Sequence, residues 1–167
     1  MQISNDRLAN LKALDGRVDR LVGVDISPRA IVLARRRVRA AEFRLGDYRE
    51  VLSDLWSEFD AVVMADVIEH VDDDRSFVQD ALAAMRAGAI LVVTVPAFRF
   101  LWSRHDVALG HRRRYGKQGL LTLFEGGVPC HAVFFSSFNA TLFPAIAAYR
   151  LAQRLLPSPV NGKSDLR

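Results

Sequence analysis

The chain has 167 residues, 50% of them hydrophobic and 25% charged. That balance fits one globular domain with a real core and excludes a disordered or fibrous protein. The formal net charge is +4, carried mostly by arginine, which is compatible with an acidic substrate, a nucleic acid or an anionic membrane surface and selects none of them. The single cysteine, Cys130, excludes an intrachain disulfide and fits a reducing compartment. The opening MQISNDRLANLKALDG has no apolar core and no cleavage site of the signal-peptide kind, so the expected location is cytoplasmic.

In chain order, residues 7–14 predict a short helix, with Leu8, Leu11 and Leu14 at spacings of three and Gly16 as its stop. Residues 20–26 are an apolar run of strand length. Ser27-Pro28 then forms an N-cap and first-turn pair for a helix running to about Ala40. Strands are predicted over 42–45, closing at Gly46-Asp47, over 59–64 and over 89–95, the last stopped by Pro96. Between the last two, Asp72 to Asp74 begin a helix at its favourable end for negative charge. Phe77, Ala81, Leu82 and Met85 form its buried stripe and Gly88 its end. Alternating strands and helices imply right-handed crossovers and a parallel sheet. The unbroken apolar runs suit strands covered on both faces. Later segments predict a helix over 117–125, a strand over 128–138, a helix over 141–156 and a tail over 158–167 with no core-forming residues.

In such sheets, ligands lie outside the carboxyl ends of the strands. Asp25 ends the first visible strand. Its two oxygens match a ribose diol, or alternatively it caps the helix that starts at Pro28. Asp47 ends the second strand, where it could accept from an exocyclic amine such as adenine's or serve as a turn residue after Gly46. His70 follows Glu69 at the third strand's end and is a candidate general base, or a residue orienting the loop. His105, Asp106 and His111 raise the question of a metal, but their spacing matches no strong signature, and no metal is expected. The run His111-Arg112-Arg113-Arg114-Tyr115 could grip a phosphate or carboxylate with arginine forks, or form a solvated basic turn.

The series LVGVDISPRAIVLARRRV, FRLGDY and FDAVVMADVIEHVDDDRSFVQDALAAMRAGAILVVTVP, over about residues 20–97, resembles class I S-adenosylmethionine-dependent methyltransferases, with ADVIEHVDD the most specific part. The resemblance implies a Rossmann-like, doubly wound, mostly parallel α/β sheet and S-adenosylmethionine as cofactor. Asp25 would hold the ribose, Ile26 would pack on the adenine, and Gly46-Asp47 would meet the adenine amine with Tyr48 beside them. Ala65, Asp66 and Val67 would line the methionine side. The later stretch VPAFRFLWSRHDVALGHRRRY with LFPAIAAYRLAQRLLP is similar to a bacterial subgroup associated with glycan and lipid-linked sugar pathways. It points to Arg113, Arg114 and Tyr115 as acceptor contacts; the catalytic candidates are His70, by its place at the pocket mouth, and His111.

The chain departs from that superfamily's pattern at its start. No GxGxG string occurs, and residues 1–19 hold one glycine, Gly16. The reading is therefore a partial single domain over 1–157, incomplete at the first strand and at the last. The strands at 20–26 and 59–64 must then pair directly or leave open edges, and the chain alone should bind cofactor weakly. The expected partner is a small-molecule, glycan or lipid-linked acceptor, not nucleic acid, because the basic run is short and no recognition module surrounds it. Residues 132–149 carry no charge. With 141–156 read as an amphipathic helix, peripheral membrane contact is a further expectation. Two alternatives stand beside the enzyme: a catalytically silent remnant or interaction module, and an NAD(P)-dependent oxidoreductase, against which ADVIEHVDD and Asp47 argue.

Overall fold

The computed structural model describes residues 17–132, 134–137 and 148. Two β–α–β units form the frame. The first runs β1 (Val22–Asp25), α1 (Pro28–Arg37) and β2 (Glu42–Leu45). β1 and β2 pair in parallel, with Val22 opposite Glu42 and Asp25 opposite Leu45. Parallel neighbours need a long crossover, and α1 supplies it. Its start is set locally: Ser27 accepts the Ala30 N–H at 3.3 Å and Pro28 occupies the first turn. Arg35, Arg36 and Arg37 crowd the last turn, where cations meet the negative end of the helix dipole. Ile31, Ala34 and Val38 bury against Phe43. Gly23 lets that ring lie on the strand, because a Cβ there would stand 2.7 Å from it.

The second unit begins after a short α2 (Tyr48–Val51) and a 3-10 turn over Trp56–Glu58. β3 (Ala61–Ala65) leads through a 3-10 turn, Ile68–His70, into α3 (Asp74–Ala84) and back to β4 (Ile90–Thr94). β3 and β4 are parallel, Ala61 opposite Ile90 and Ala65 opposite Thr94. Asp73 caps α3 by accepting the Ser76 N–H at 2.9 Å. Phe77, Val78, Ala81 and Leu82 of α3 bury against Leu52, Leu55, Trp56 and Met64 in the main core. Each Val, Leu, Met and Phe side chain among these contributes about 1.5–3 kcal/mol by leaving water.

This is the expected α/β, Rossmann-like arrangement, with both crossovers where the alternation placed them. Among the described residues the strands form two separate parallel pairs, and no ladder joins β1 to β3. Of the two expected outcomes, direct pairing or open edges, the described strands show the second. The expectation that β3 and β4 are covered on both faces is corrected: Val63, Ile90 and Val92 share one face of the pair and are exposed at 51%, 62% and 43%, so among the described residues nothing covers that face.

Past β4, a 3-10 turn over Arg99–Leu101 precedes α4 (Arg104–Ala108), α5 (Lys117–Leu121) and a 3-10 turn over Thr122–Phe124. The helix expected over 117–125 is thus divided between an α and a 3-10 turn. The strand expected over 128–138 is corrected: the described residues of that stretch form none. Pro129 removes a ladder donor, none of the described strands pairs with this stretch, and Phe134 is 84% exposed. The helix expected over 7–14 and the tail over 158–167 lie outside the described residues, as does the helix over 141–156 except for Ala148. No helix among the described residues is long and apolar enough to cross a membrane.

Candidate functional site

The predicted residues lie at or just after the carboxyl ends of the strands, Asp25 and Asp47 at β1 and β2, and Ala65 to Val67 at β3. Asp25 closes β1, and its Oδ1 accepts the Ser27 N–H at 2.8 Å. The carboxylate therefore already orders the turn into α1. Ile26, next to it, is 67% exposed. The Gly46 N–H donates to the Asp25 carbonyl at 3.1 Å, so the ends of β1 and β2 are tied together. Gly46 has φ of +143°, and a Cβ there would lie 2.6 Å from Val51 Cγ1. Both facts require glycine.

Asp47 caps α2 through the Arg49 N–H at 2.9 Å. It also takes the Arg49 guanidinium on both oxygens, at 2.9 and 2.7 Å. The Arg49 fork beside it holds the Asp47 carboxyl below the usual carboxylate range. Tyr48 turns inward. Its hydroxyl donates to the Phe77 carbonyl, and its ring packs edge-on against Trp56 and Phe77 at 5.6 and 4.5 Å. Burial pushes its phenol above the ordinary range. Tyr48 thus braces the wall behind Asp47.

β3 ends at Ala65, and Asp66 adopts a left-handed backbone, φ +49°. Its N–H donates to the Thr94 carbonyl at 3.0 Å and the Thr94 hydroxyl at 3.2 Å, which holds this uncommon conformation against β4. Half-buried Val67 then leads into the Ile68–His70 turn, where Ile68 and Glu69 are fully buried.

The basic run folds back onto that turn as a clasp. The Arg112 N–H donates to the Glu69 carbonyl at 2.8 Å and its Nε to the His70 carbonyl at 2.9 Å. Arg113 donates to the carbonyls of Val71 and Asp72 and pairs with Asp74 at 2.9 Å. Arg114 donates to the Ala97 carbonyl at 2.8 Å and to Asp106 at 2.7 Å. Tyr115 is buried, its hydroxyl donating to Asp74 at 2.6 Å, with the Ile68 carbonyl 3.2 Å away. Burial also drives the Tyr115 phenol upward, with Asp74 adding to the shift. These arginines therefore join three segments, and they also wall, with Arg99 and Trp102, an open cavity of about 250 Å3.

Behind the clasp, the Asp106 carboxylate is fully buried. Desolvation pushes its pKa up, but Arg114, the Ser103 N–H and His111 outweigh that and bring it down to about 2. His111 Nδ1 lies 3.1 Å from Asp106 Oδ1, and His70 Nδ1 lies 3.1 Å from the Gly110 carbonyl. The two imidazoles meet edge-to-face at 4.8 Å. Sequence reasoning placed His105 with Asp106 and His111. The structure instead leaves His105 on the exposed side of α4 and brings Glu69 to the two histidines. Glu69 gave no chemical signal in sequence beyond a carboxylate directly after the apolar pair Val67-Ile68.

A family model described as a methyltransferase domain matches residues 8–93. The ubiquinone biosynthesis O-methyltransferase of Methylocella silvestris is 33% identical over 100 residues, covering 54% of this chain and 39% of that protein. The crystal structure of a candidate methyltransferase from Bacillus halodurans C-125 superposes with a TM-score of 0.57 at 19% identity, covering 72% of this chain and 56% of that one. The chain thus spans well under two thirds of either protein's length, and the second likeness is one of fold.

Proposed function

The chain belongs to the methyltransferase domain family, and we propose that it holds S-adenosylmethionine across the carboxyl ends of β1, β2 and β3 for methyl transfer to a small-molecule, glycan or lipid-linked acceptor. The observation that carries this reading is the pair of carboxylates, Asp25 and Asp47, at the ends of two hydrogen-bonded parallel strands. Their spacing by one strand suits a ribose and the base attached to it. Asp25 keeps acceptor capacity beyond its bond to Ser27, and a carboxylate has about four lone-pair sites for such bonds. Exposed Ile26 offers an apolar face for the adenine ring. Asp47 accepts from the adenine amine, while Tyr48 fixes the wall behind it. Ala65, Asp66 and Val67 line the methionine side.

When bound, the cofactor supplies the electrophilic methyl group. The protein aligns an acceptor atom with it and excludes water. The cavity lined by Arg99, Trp102, Arg113 and Arg114 suits an acceptor carrying a phosphate or carboxylate. The name of the Methylocella relative supports oxygen as the accepting atom.

Titration of S-adenosylhomocysteine into the purified chain, followed by ligand-observed NMR because weak binding remains visible there, tests the reading. Binding of S-adenosylhomocysteine without binding of NADH is expected. A folded chain that ignores both would favour the catalytically silent alternative, and preference for NADH would favour the oxidoreductase.

A further inference from the structure

The geometry points to a divalent transition-metal site formed by the neighbours Glu69 and His70 with His111, which is distant in sequence and meets them where the clasp closes over the turn after β3. One ligand atom from each lies within 4.8 Å of the others. Glu69 Oε1 is common to both contacts, 3.9 Å from His70 Nε2 and 4.0 Å from His111 Nε2. Neither separation is hydrogen-bond length. Tetrahedral ligands about 2.0–2.2 Å from a zinc ion stand roughly 3.3 Å from one another. Coordination would require both Glu–His spacings to shorten to that value.

The histidines are already oriented for coordination. Both Nδ1 atoms face oxygen acceptors, the Gly110 carbonyl and the Asp106 carboxylate, so both must donate there. In the neutral rings this leaves each Nε2 with its lone pair, and those are the two nitrogens turned toward Glu69. A carboxylate or carbonyl behind a ligating imidazole is the usual outer support of a metal-bound histidine. Here the Asp106 support is itself locked by Arg114 and Ser103. The alternative that the two imidazoles simply neutralise Glu69 as cations calls for protons, not a metal, on Nε2. Two imidazoles and one carboxylate suit Zn2+, Co2+ or Fe2+ better than Mg2+, which prefers oxygen ligands. The side chains of His70 and His111 are 14% and 10% exposed, and that of Glu69 is fully buried. The ion would therefore sit at the inner end of the turn with a side open to an exchangeable ligand. This site is independent of the cofactor reading.

The test uses the untagged chain, stripped with a chelator and titrated with Co2+, then Zn2+. One equivalent of Co2+ should bind with visible d–d absorption, and Zn2+ should displace it. Metal should also raise the melting temperature. His70→Ala and His111→Ala should each abolish the absorption while circular dichroism shows the fold retained. Asp106→Asn should weaken binding about 10–100-fold, as outer-support changes do. Because Asp106→Asn also disturbs Arg114, the milder Glu69→Gln is the companion variant, expected to lose binding as well. A folded wild-type chain that binds neither ion, or binding unchanged in both histidine variants, overturns the site.

Discussion

The carboxylate of Asp106 and the guanidinium of Arg114 are buried together, 2.7 Å apart. Their pairing links α4 to the strand-like segment that leaves β4, because Arg114 also donates to the Ala97 carbonyl. A buried pair adds little over well-packed apolar groups, but breaking one strands the other. Asp106→Ala should therefore lower stability by about 3–5 kcal/mol, read as the midpoint of urea unfolding. A midpoint within error of wild type would contradict this role.

Tyr115 connects the same clasp to α3. Its hydroxyl reaches Asp74 and the Ile68 carbonyl from a buried position. Tyr115→Phe keeps the ring and leaves Asp74, itself buried, without that donor. The expected loss is about 1–3 kcal/mol, again by urea unfolding, and a neutral variant would mean the contact is replaced by water.

Gly46→Ala should destabilise the end of β2. Its φ is +143° and its Cβ position is occupied by Val51. The cost should exceed about 1 kcal/mol, since the conformation disfavours any L side chain and Val51 must also move. Melting temperature reads this directly, and an unchanged value would show the turn to be adaptable.

The main core can be set against the exposed apolar surface. Phe77→Ala removes a ring that packs on Tyr48 at 4.5 Å within the core and should cost about 3–5 kcal/mol. Phe134→Ser alters a side chain 84% exposed and should fall within about 0.5 kcal/mol of wild type. Comparable losses in the two variants would contradict the assignment of the core.

The ribose and adenine roles separate by variant. Asp25→Asn should weaken S-adenosylhomocysteine about tenfold or more, through loss of charge-assisted hydrogen bonds worth about 1.5–3 kcal/mol. Asp47→Asn should discriminate less between ligands with and without an adenine amine. Equal binding by both variants and wild type would remove these carboxylates from the pocket.

The β–α–β order was legible because it rests on local signals. The Ser27-Pro28 cap, the apolar runs of β3 and β4 and the stripe on α3 each act over a few residues. Edges of elements moved by a few positions, as with α1, which ends at Arg37 instead of Ala40. The strand expected over 128–138 was not legible, since an apolar run becomes a strand only when a neighbour accepts its hydrogen bonds. Strand-end residues Asp25 and Asp47 could be named from topology alone. The Glu69–His70–His111 cluster could not, because it depends on Arg112 folding back 42 residues to meet His70. No local pattern in the sequence encodes that closure.

A crystal structure of the chain soaked with S-adenosylhomocysteine tests the central claim most directly. The account predicts the ribose diol on the Asp25 carboxylate, the adenine against Ile26 with its amine toward Asp47, and the sulfur end near Ala65–Val67. A ligand bound with its ribose away from Asp25, or seated elsewhere on the molecule, would contradict it.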